Sequence, residues 1–388
     1  MTEYLLLLLL PVAVYFGWWL ARTFERRSSG RRNRLFSDQY FQGLNYLLNE
    51  QPDKAIQVFL ELAEVNQDTV ETHMALGSLF RRRGEVDRAI RFHQNIIAKP
   101  GLKAEQRTQA LLELGEDYMR AGLLDRAERL FSELIETDAH TPSALRSLLE
   151  IYQQEKDWDK ALEQAQRLEQ VSGEHMGAVM AQFSCELADA AIADNDRERA
   201  RRHLRQARRH DPRCVRARFI LADIASEAGE AASAVELYEE IAELDSDYIP
   251  ELLESYLEAA AAAGLHERCR AKLDEWATRY NGISLTLKLT EFVASERGGE
   301  AAGQYLVDKL ASKPSVRGLD RLIDLKAGGH LETESSDDIL KAVTTRLLMR
   351  QPQYRCHHCG FSGQTHHWLC PSCRNWSTTK RIPGVLGE

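Results

Sequence analysis

Cysteine is scarce in this sequence: seven in 388 residues, four of them inside one 18-residue stretch near the end. A small secreted scaffold spaces many cysteines evenly along a short chain, so that class is excluded and the chain reads as belonging to a reducing compartment. Cys185, Cys214 and Cys269 occur singly on predicted helices, where free cysteine is usually a small buried hydrophobe. Proline is scarce too, at ten residues, which favours uninterrupted helices. His73, His93, His140, His203 and His210 lack metal-ligand spacing, so packing or surface roles are expected. No flavin or nicotinamide motif is present. Positive charge is lacking overall, with a formal net charge of -9. It collects at the two ends: residues 22–34 carry +5 and residues 350–388 carry +4, which leaves about -17 between them. An acidic body repels phosphate, so a nucleic-acid partner is not expected.

Long apolar runs are confined to the beginning. Tyr4 to Ala21 is an uncharged stretch of 18 residues containing six consecutive leucines, Leu5 to Leu10. That length suffices for a membrane-spanning helix, and Pro11 within it is tolerated there. Trp18 and Trp19 suit the headgroup layer. A cleaved signal peptide would need a basic start and small residues at its end, whereas Glu3 is the only early charge and the last residues are bulky. Arg22, Arg26, Arg27, Arg31, Arg32 and Arg34 all follow the span. Positive flanks stay cytoplasmic, so the expected topology is N-terminus out and the rest of the chain in. Residues 1–21 are therefore read as an anchor and residues 22–34 as a basic linker beside anionic headgroups.

From Leu35 the apolar spacing is helical and repetitive. Leu76-Gly77-x2-Phe80 with Gly84 and Ala89 recurs as Leu114-Gly115-x2-Tyr118 with Gly122 and Ala127, as Leu148-Leu149-x2-Tyr152 with Ala161, and earlier as Gly43-x2-Tyr46 with Ala55. The small residues Ala55, Ala89, Ala127, Ala161, Ala200, Ala234 and Cys269 are spaced by 34, 38, 34, 39, 34 and 35 residues. This is the tetratricopeptide pattern: small residues let the two helices of a hairpin approach, and large ones fill between hairpins. The predicted fold is all-α, a tetratricopeptide-repeat solenoid over residues 35–315. Ala302 with Pro314 marks either an eighth unit or a capping pair, and residues 316–350 are expected to be helices leading onward. The first helices of the units would line a peptide- or protein-binding groove. Arg81-Arg82-Arg83 and the arginines between Arg199 and Arg209 read as solvated helix faces, with an acidic partner as the alternative.

Residues 351–388 carry Cys356-x2-Cys359-Gly360-Phe361 and Cys370-Pro371-x-Cys373, with ten residues between Cys359 and Cys370. Each C-x2-C turn aims two thiolates at one point, and two turns complete a tetrahedron. Cys356, Cys359, Cys370 and Cys373 are the expected ligands of one metal ion. Iron and zinc suit four thiolates equally. His357, His358, His366 and His367 are not needed, because a structural site closes at four ligands. Tyr354, Phe361, Trp368 and Trp376 would form an apolar shell of the rubredoxin kind.

Three features thus coincide: an anchor, a cytoplasmic repeat array and a four-cysteine ribbon. Together with Arg83-Gly84-Glu85-Val86-Asp87-Arg88-Ala89-Ile90-Arg91 and Cys370-Pro371-Ser372-Cys373-Arg374, they make the whole chain resemble the lipopolysaccharide assembly protein B family of Gram-negative bacteria. The resemblance implies an inner-membrane adaptor and not an enzyme. It implies three partners: the membrane-anchored AAA+ protease, the deacetylase that commits carbon to lipid A, and an inner-membrane regulator that senses lipopolysaccharide. The family's metal cysteines carry over to Cys356, Cys359, Cys370 and Cys373. The alternatives are a scaffold for envelope enzymes without a role in proteolysis, and an iron-bearing electron carrier. A homodimer is compatible with the sequence.

Overall fold

The computed structural model describes residues 41–43, 45–46, 49, 51–65, 70–280, 282–327, 344–345, 348 and 351–388. The expected anchor (1–21) and basic linker (22–34) lie outside the described residues, as does most of 328–350. Among the described residues no helix is long and apolar enough to cross a membrane. The chain forms two compact units, residues 1–173 and 174–388.

The first unit is a series of antiparallel helix pairs: α1 (Pro52–Val65), then α2 (Val70–Arg82) with α3 (Val86–Ile97), α4 (Ala104–Arg120) with α5 (Leu124–Glu136), and α6 (Thr141–Glu155) with α7 (Trp158–Ser172). The second continues with α8 (Gly177–Ala193) and α9 (Arg197–His210), α10 (Val215–Glu227) and α11 (Ala231–Leu244), α12 (Ile249–Ala262) and α13 (His266–Arg279), α14 (Ile283–Arg297) and α15 (Gly299–Ser312), and α16 (Val316–Ala327). A 3₁₀ turn, Ser246–Tyr248, precedes α12.

The repeat chemistry read from the sequence is visible in the packing. Ala55, Ala89, Ala127, Ala161, Ala200 and Ala234 are fully buried and Cys269 nearly so. A β-carbon on Gly43 would come within 2.7 Å of the Phe59 ring, and one on Gly115 within 2.6 Å of Phe131. Glycine on the first helix thus makes room for a ring on the second. The fourth unit inverts the sizes, with Leu149 and Ala165 both buried at the corresponding positions. In the six hairpins from α2 to α13 the turn takes one left-handed residue: Gly84, Gly122, Lys156, Asn195, Gly229 and Gly264. Ala302 is fully buried on α15, and α14 pairs with α15 as an eighth hairpin.

Two expectations are corrected. His93 is not an isolated packing residue. It occupies the ring position of its hairpin, against Gly77. Its Nδ1 lies 2.5 Å from Oδ2 of Asp117, and both side chains are fully buried. Arg81 is neither solvated nor free for an acidic partner. Its guanidinium bonds Asp117, Glu113 and Glu116 of α4, each at 2.7 Å. A buried charge must be paired, and this cation sits between three carboxylates of its own chain. On α9 the solvated reading holds only in part: Arg197, Arg201 and Arg208 bond Glu227, Glu230 and Glu240 of the next hairpin, while Arg202, Arg205 and Arg209 point to solvent.

Candidate metal centre

The last 38 residues (351–388) contain a three-stranded antiparallel sheet: β1 (Tyr354–Cys356), β2 (Ser362–Gly363) and β3 (Thr379–Arg381), in the order β2-β1-β3. Tyr354 pairs with Gly363 on one side and Arg381 on the other. Each cysteine pair lies on a tight knuckle. The Gly360 N–H donates to the Cys356 carbonyl at 2.9 Å, and the Arg374 N–H donates to the Cys370 carbonyl at 2.9 Å. Gly360 and Arg374 follow the second cysteine of their knuckles, and both have positive φ, +80° and +54°. The sequence marked the first of these turns with glycine. The second places an exposed arginine in the same strained region.

That asymmetry makes a prediction. Arg374→Gly is expected to stabilise the ribbon by about 1 kcal/mol, because glycine has no β-carbon to strain at positive φ. The check is the midpoint at which the metal-loaded chain releases its ion in urea, which should rise. A lower midpoint would mean that the Arg374 side chain holds the knuckle in a way its exposure does not suggest.

The four sulfurs of Cys356, Cys359, Cys370 and Cys373 lie within 4.8 Å of one another. Across the two knuckles, Cys356 Sγ is 3.8 Å from Cys373 Sγ and Cys359 Sγ is 3.7 Å from Cys370 Sγ. A tetrahedral ion with metal–sulfur bonds of about 2.3 Å sets its sulfurs about 3.8 Å apart. The sulfur set therefore fits one tetrahedral ion, and among the described residues no other such cluster of His, Cys, Asp or Glu occurs. Burial pushes the Cys356 thiol up, but the Thr378 hydroxyl at 3.2 Å and the N–H groups of Cys359 and His358 outweigh it and bring it down to about 5. The Asn375 side chain brings Cys373 down to about 7, whereas burial pushes Cys370 up to about 11. Donors directed at sulfur favour the thiolate that a metal needs.

None of the four histidines belongs to the sulfur set. His366 packs in an aromatic cluster, its ring 4.7 Å from Trp368, 5.7 Å from Tyr354 and 6.0 Å from Tyr248. Burial lowers its pKa and so favours the neutral ring.

The ribbon is seated on the helices of its own unit, a contact that no motif announced. The seat uses one row of residues on successive first helices: Gln182 of α8, Arg216 of α10, Glu251 of α12 and Ser284 of α14, which are 34, 35 and 33 residues apart. Gln182 Nε2 donates to Ser377 Oγ at 3.2 Å. The Arg216 guanidinium lies 5.7 Å from the Trp376 ring centroid. Glu251 accepts from the Tyr354 hydroxyl at 2.9 Å and from Arg381 Nε at 2.5 Å. Ser284 donates its N–H and its hydroxyl to the Glu388 carboxylate, at 3.0 and 2.8 Å. Between these, Trp368 stacks on Tyr248 at 5.5 Å and meets Phe219 at 6.0 Å. Lys380 lies over the Tyr248 ring, 3.7 Å from its centroid, and pairs with Asp245. The 34-residue recurrence was legible in the sequence; that the row faces the ribbon was not.

Protein-family models agree with this architecture. Tetratricopeptide repeat models match residues 72–105, 112–175 and 185–249. A model of the rubredoxin metal binding domain matches residues 354–380. A solved structure of MamA protein is 16% identical, with a TM-score of 0.36, over 46% of this chain and 92% of its own. Lipopolysaccharide assembly protein B of Haemophilus influenzae is 31% identical over 97% of this chain and 98% of its own length. The protein of that name from Escherichia coli K12 is 36% identical over 386 residues, 99% of each chain. With identity at that level from end to end, the chain belongs to the lipopolysaccharide assembly protein B family.

Proposed function

We propose that this chain is a membrane-tethered, non-enzymatic adaptor that regulates lipopolysaccharide synthesis. It presents the lipid A deacetylase to the inner-membrane AAA+ protease and answers to a lipopolysaccharide-sensing regulator. The observation that carries this reading is the end-to-end similarity to proteins named for lipopolysaccharide assembly. The architecture supports it: stacked helix hairpins offer binding faces for chain segments. Residues 4–21 would hold the array in the plane of the protease, which raises effective concentration without any new contact. Cys356, Cys359, Cys370 and Cys373 would hold one iron or zinc ion, and that ion would tie the two knuckles together. Because the ribbon lies along the row from Gln182 to Ser284, the substrate is assigned to the first helices of the first unit, α2, α4 and α6.

The test is the half-life of the deacetylase in cells with the full chain, without it, and with residues 1–21 removed. The adaptor reading expects a short half-life with the full chain alone. An equal half-life in all three would reject it in favour of an assembly scaffold without a role in degradation. A short half-life with the truncated chain would reject the tether only.

A further inference from the structure

Two buried cysteines of the second unit face each other beneath the ribbon. Cys185 lies on α8 and is fully buried, and Cys214 is 2% exposed. Their sulfurs are 3.9 Å apart. The sequence placed both on helices, but Cys214 is the residue capping the N-terminus of α10. Its sulfur is surrounded by donors. Cys185 S–H donates to it, and the Ala217 N–H in the first turn of α10 favours its charged form. Gln182 Nε2 reaches it at 3.8 Å, and the Arg216 cation stands two residues further on. The hydrogen bond from Cys185, with the Ala217 N–H and the Arg216 charge, outweighs burial and pulls the Cys214 thiol down. Donating that bond, and then burial, hold the Cys185 thiol well up. The two sulfurs are thus in contact at 3.9 Å, with the charged form favoured at Cys214 over Cys185, the polarity that oxidation to a disulfide uses.

The same groups hold the ribbon. The amide nitrogen of Gln182 that reaches the Cys214 sulfur also donates to Ser377. Arg216, fixed by Glu186 at 2.8 Å and Asp189 at 2.7 Å, lies against Trp376. Phe183, between Gln182 and Cys185 on α8, meets the edge of the same indole at 6.3 Å.

We propose that Cys185 and Cys214 form an oxidation site, a dithiol that hydrogen peroxide converts to a disulfide, and that its closure loosens the ribbon at Ser377 and Trp376. The Cys214 thiolate attacks one oxygen of the peroxide. The O–O bond breaks, the sulfur becomes a sulfenic acid, and the departing hydroxide takes up a proton to leave as water. Cys185, losing its proton, attacks that sulfur, and the sulfenic oxygen leaves as a second water. Two thiols are oxidised by two electrons and one peroxide is reduced to two waters. A bond of about 2.0 Å brings the sulfurs together by about 1.9 Å. It also replaces the sulfur acceptor that Gln182 Nε2 reaches with a disulfide sulfur, a poorer acceptor. Burial slows the arrival of oxidant, so a molecule as small as peroxide is the oxidant that fits.

The experiment uses the full-length, metal-loaded chain exposed to graded hydrogen peroxide. Free thiols are then blocked, and peptides are mapped without reduction while metal content and protease cleavage within residues 351–388 are followed. The expected result is a Cys185–Cys214 cross-linked peptide that appears before metal is lost, with ribbon cleavage several-fold faster and both effects reversed by dithiothreitol. In Cys185→Ala the cross-link and the early cleavage should both be absent, and Cys214→Ser should behave alike. If both sulfurs stay reduced until metal is released, the site is rejected. If the cross-link forms with unchanged ribbon cleavage, or if early cleavage persists in Cys185→Ala, the coupling to the ribbon is rejected.

Discussion

Cys356→Ser combined with Cys359→Ser is expected to release the metal ion and unfold residues 351–388 while most of the helical signal survives. Two knuckles and eight residues of strand offer little apolar core of their own. Metal binding in ribbons of this size is worth about 10–16 kcal/mol, far more than such a segment can supply otherwise. The hairpins have independent cores. One cluster joins Ala55, Phe59, Leu76, Phe80 and Ala89, and another joins Tyr238, Leu252, Tyr256, Leu273 and Trp276. The second unit should nonetheless weaken, because Tyr248 and Phe219 lose the Trp368 ring that covers them. Metal content, protease cleavage after residue 351 and far-ultraviolet circular dichroism read the three effects separately. Collapse of the whole helical signal would show that the ribbon is part of the array's core, and an intact ribbon without metal would remove the metal from the account of its folding.

The second large effect is expected from Glu251→Ala. Glu251 sits on α12 and bonds two ribbon residues at once, Tyr354 and Arg381. Its side chain is 23% exposed and that of Arg381 is 20% exposed. Removing the carboxylate leaves Arg381 with the Glu388 carboxylate at 3.6 Å as its remaining ion pair. Truncating one partner of a buried charge pair costs roughly 2–5 kcal/mol. The remaining solvent exposure moves the expectation to the lower end, about 2 kcal/mol, which is roughly a thirtyfold rise in the undocked fraction of the ribbon. Metal should stay bound, since no ligand is touched. The measurement is protease cleavage of the ribbon in the metal-loaded variant, set against Arg381→Met and the double variant. Additive single effects would mean that the pair is not coupled, and metal loss in Glu251→Ala would mean that docking and metal binding are one event.

Repetition and spacing decided what the sequence alone could determine. Small residues recur near every 34 positions because two helices cannot approach over a large side chain, and that constraint is local to each hairpin. Ala89 and Ala127 could therefore be placed in the core without coordinates. The same holds for the four cysteines: a C-x2-C turn brings its thiolates together through backbone geometry within a few residues. What depends on partners far apart in the chain was illegible. His93 looked like a packing histidine because its partner, Asp117, lies on the next hairpin, and Arg81 looked solvated because its carboxylates lie more than thirty residues away. Cys185 and Cys214 looked like two solitary thiols, and only the packing of α8 beside α10 makes them neighbours. The seat of the ribbon is the extreme case. Gln182, Arg216, Glu251 and Ser284 are four different residue types at one repeat position, so no shared chemistry marks them, and stacking the hairpins is what aligns them into a single face.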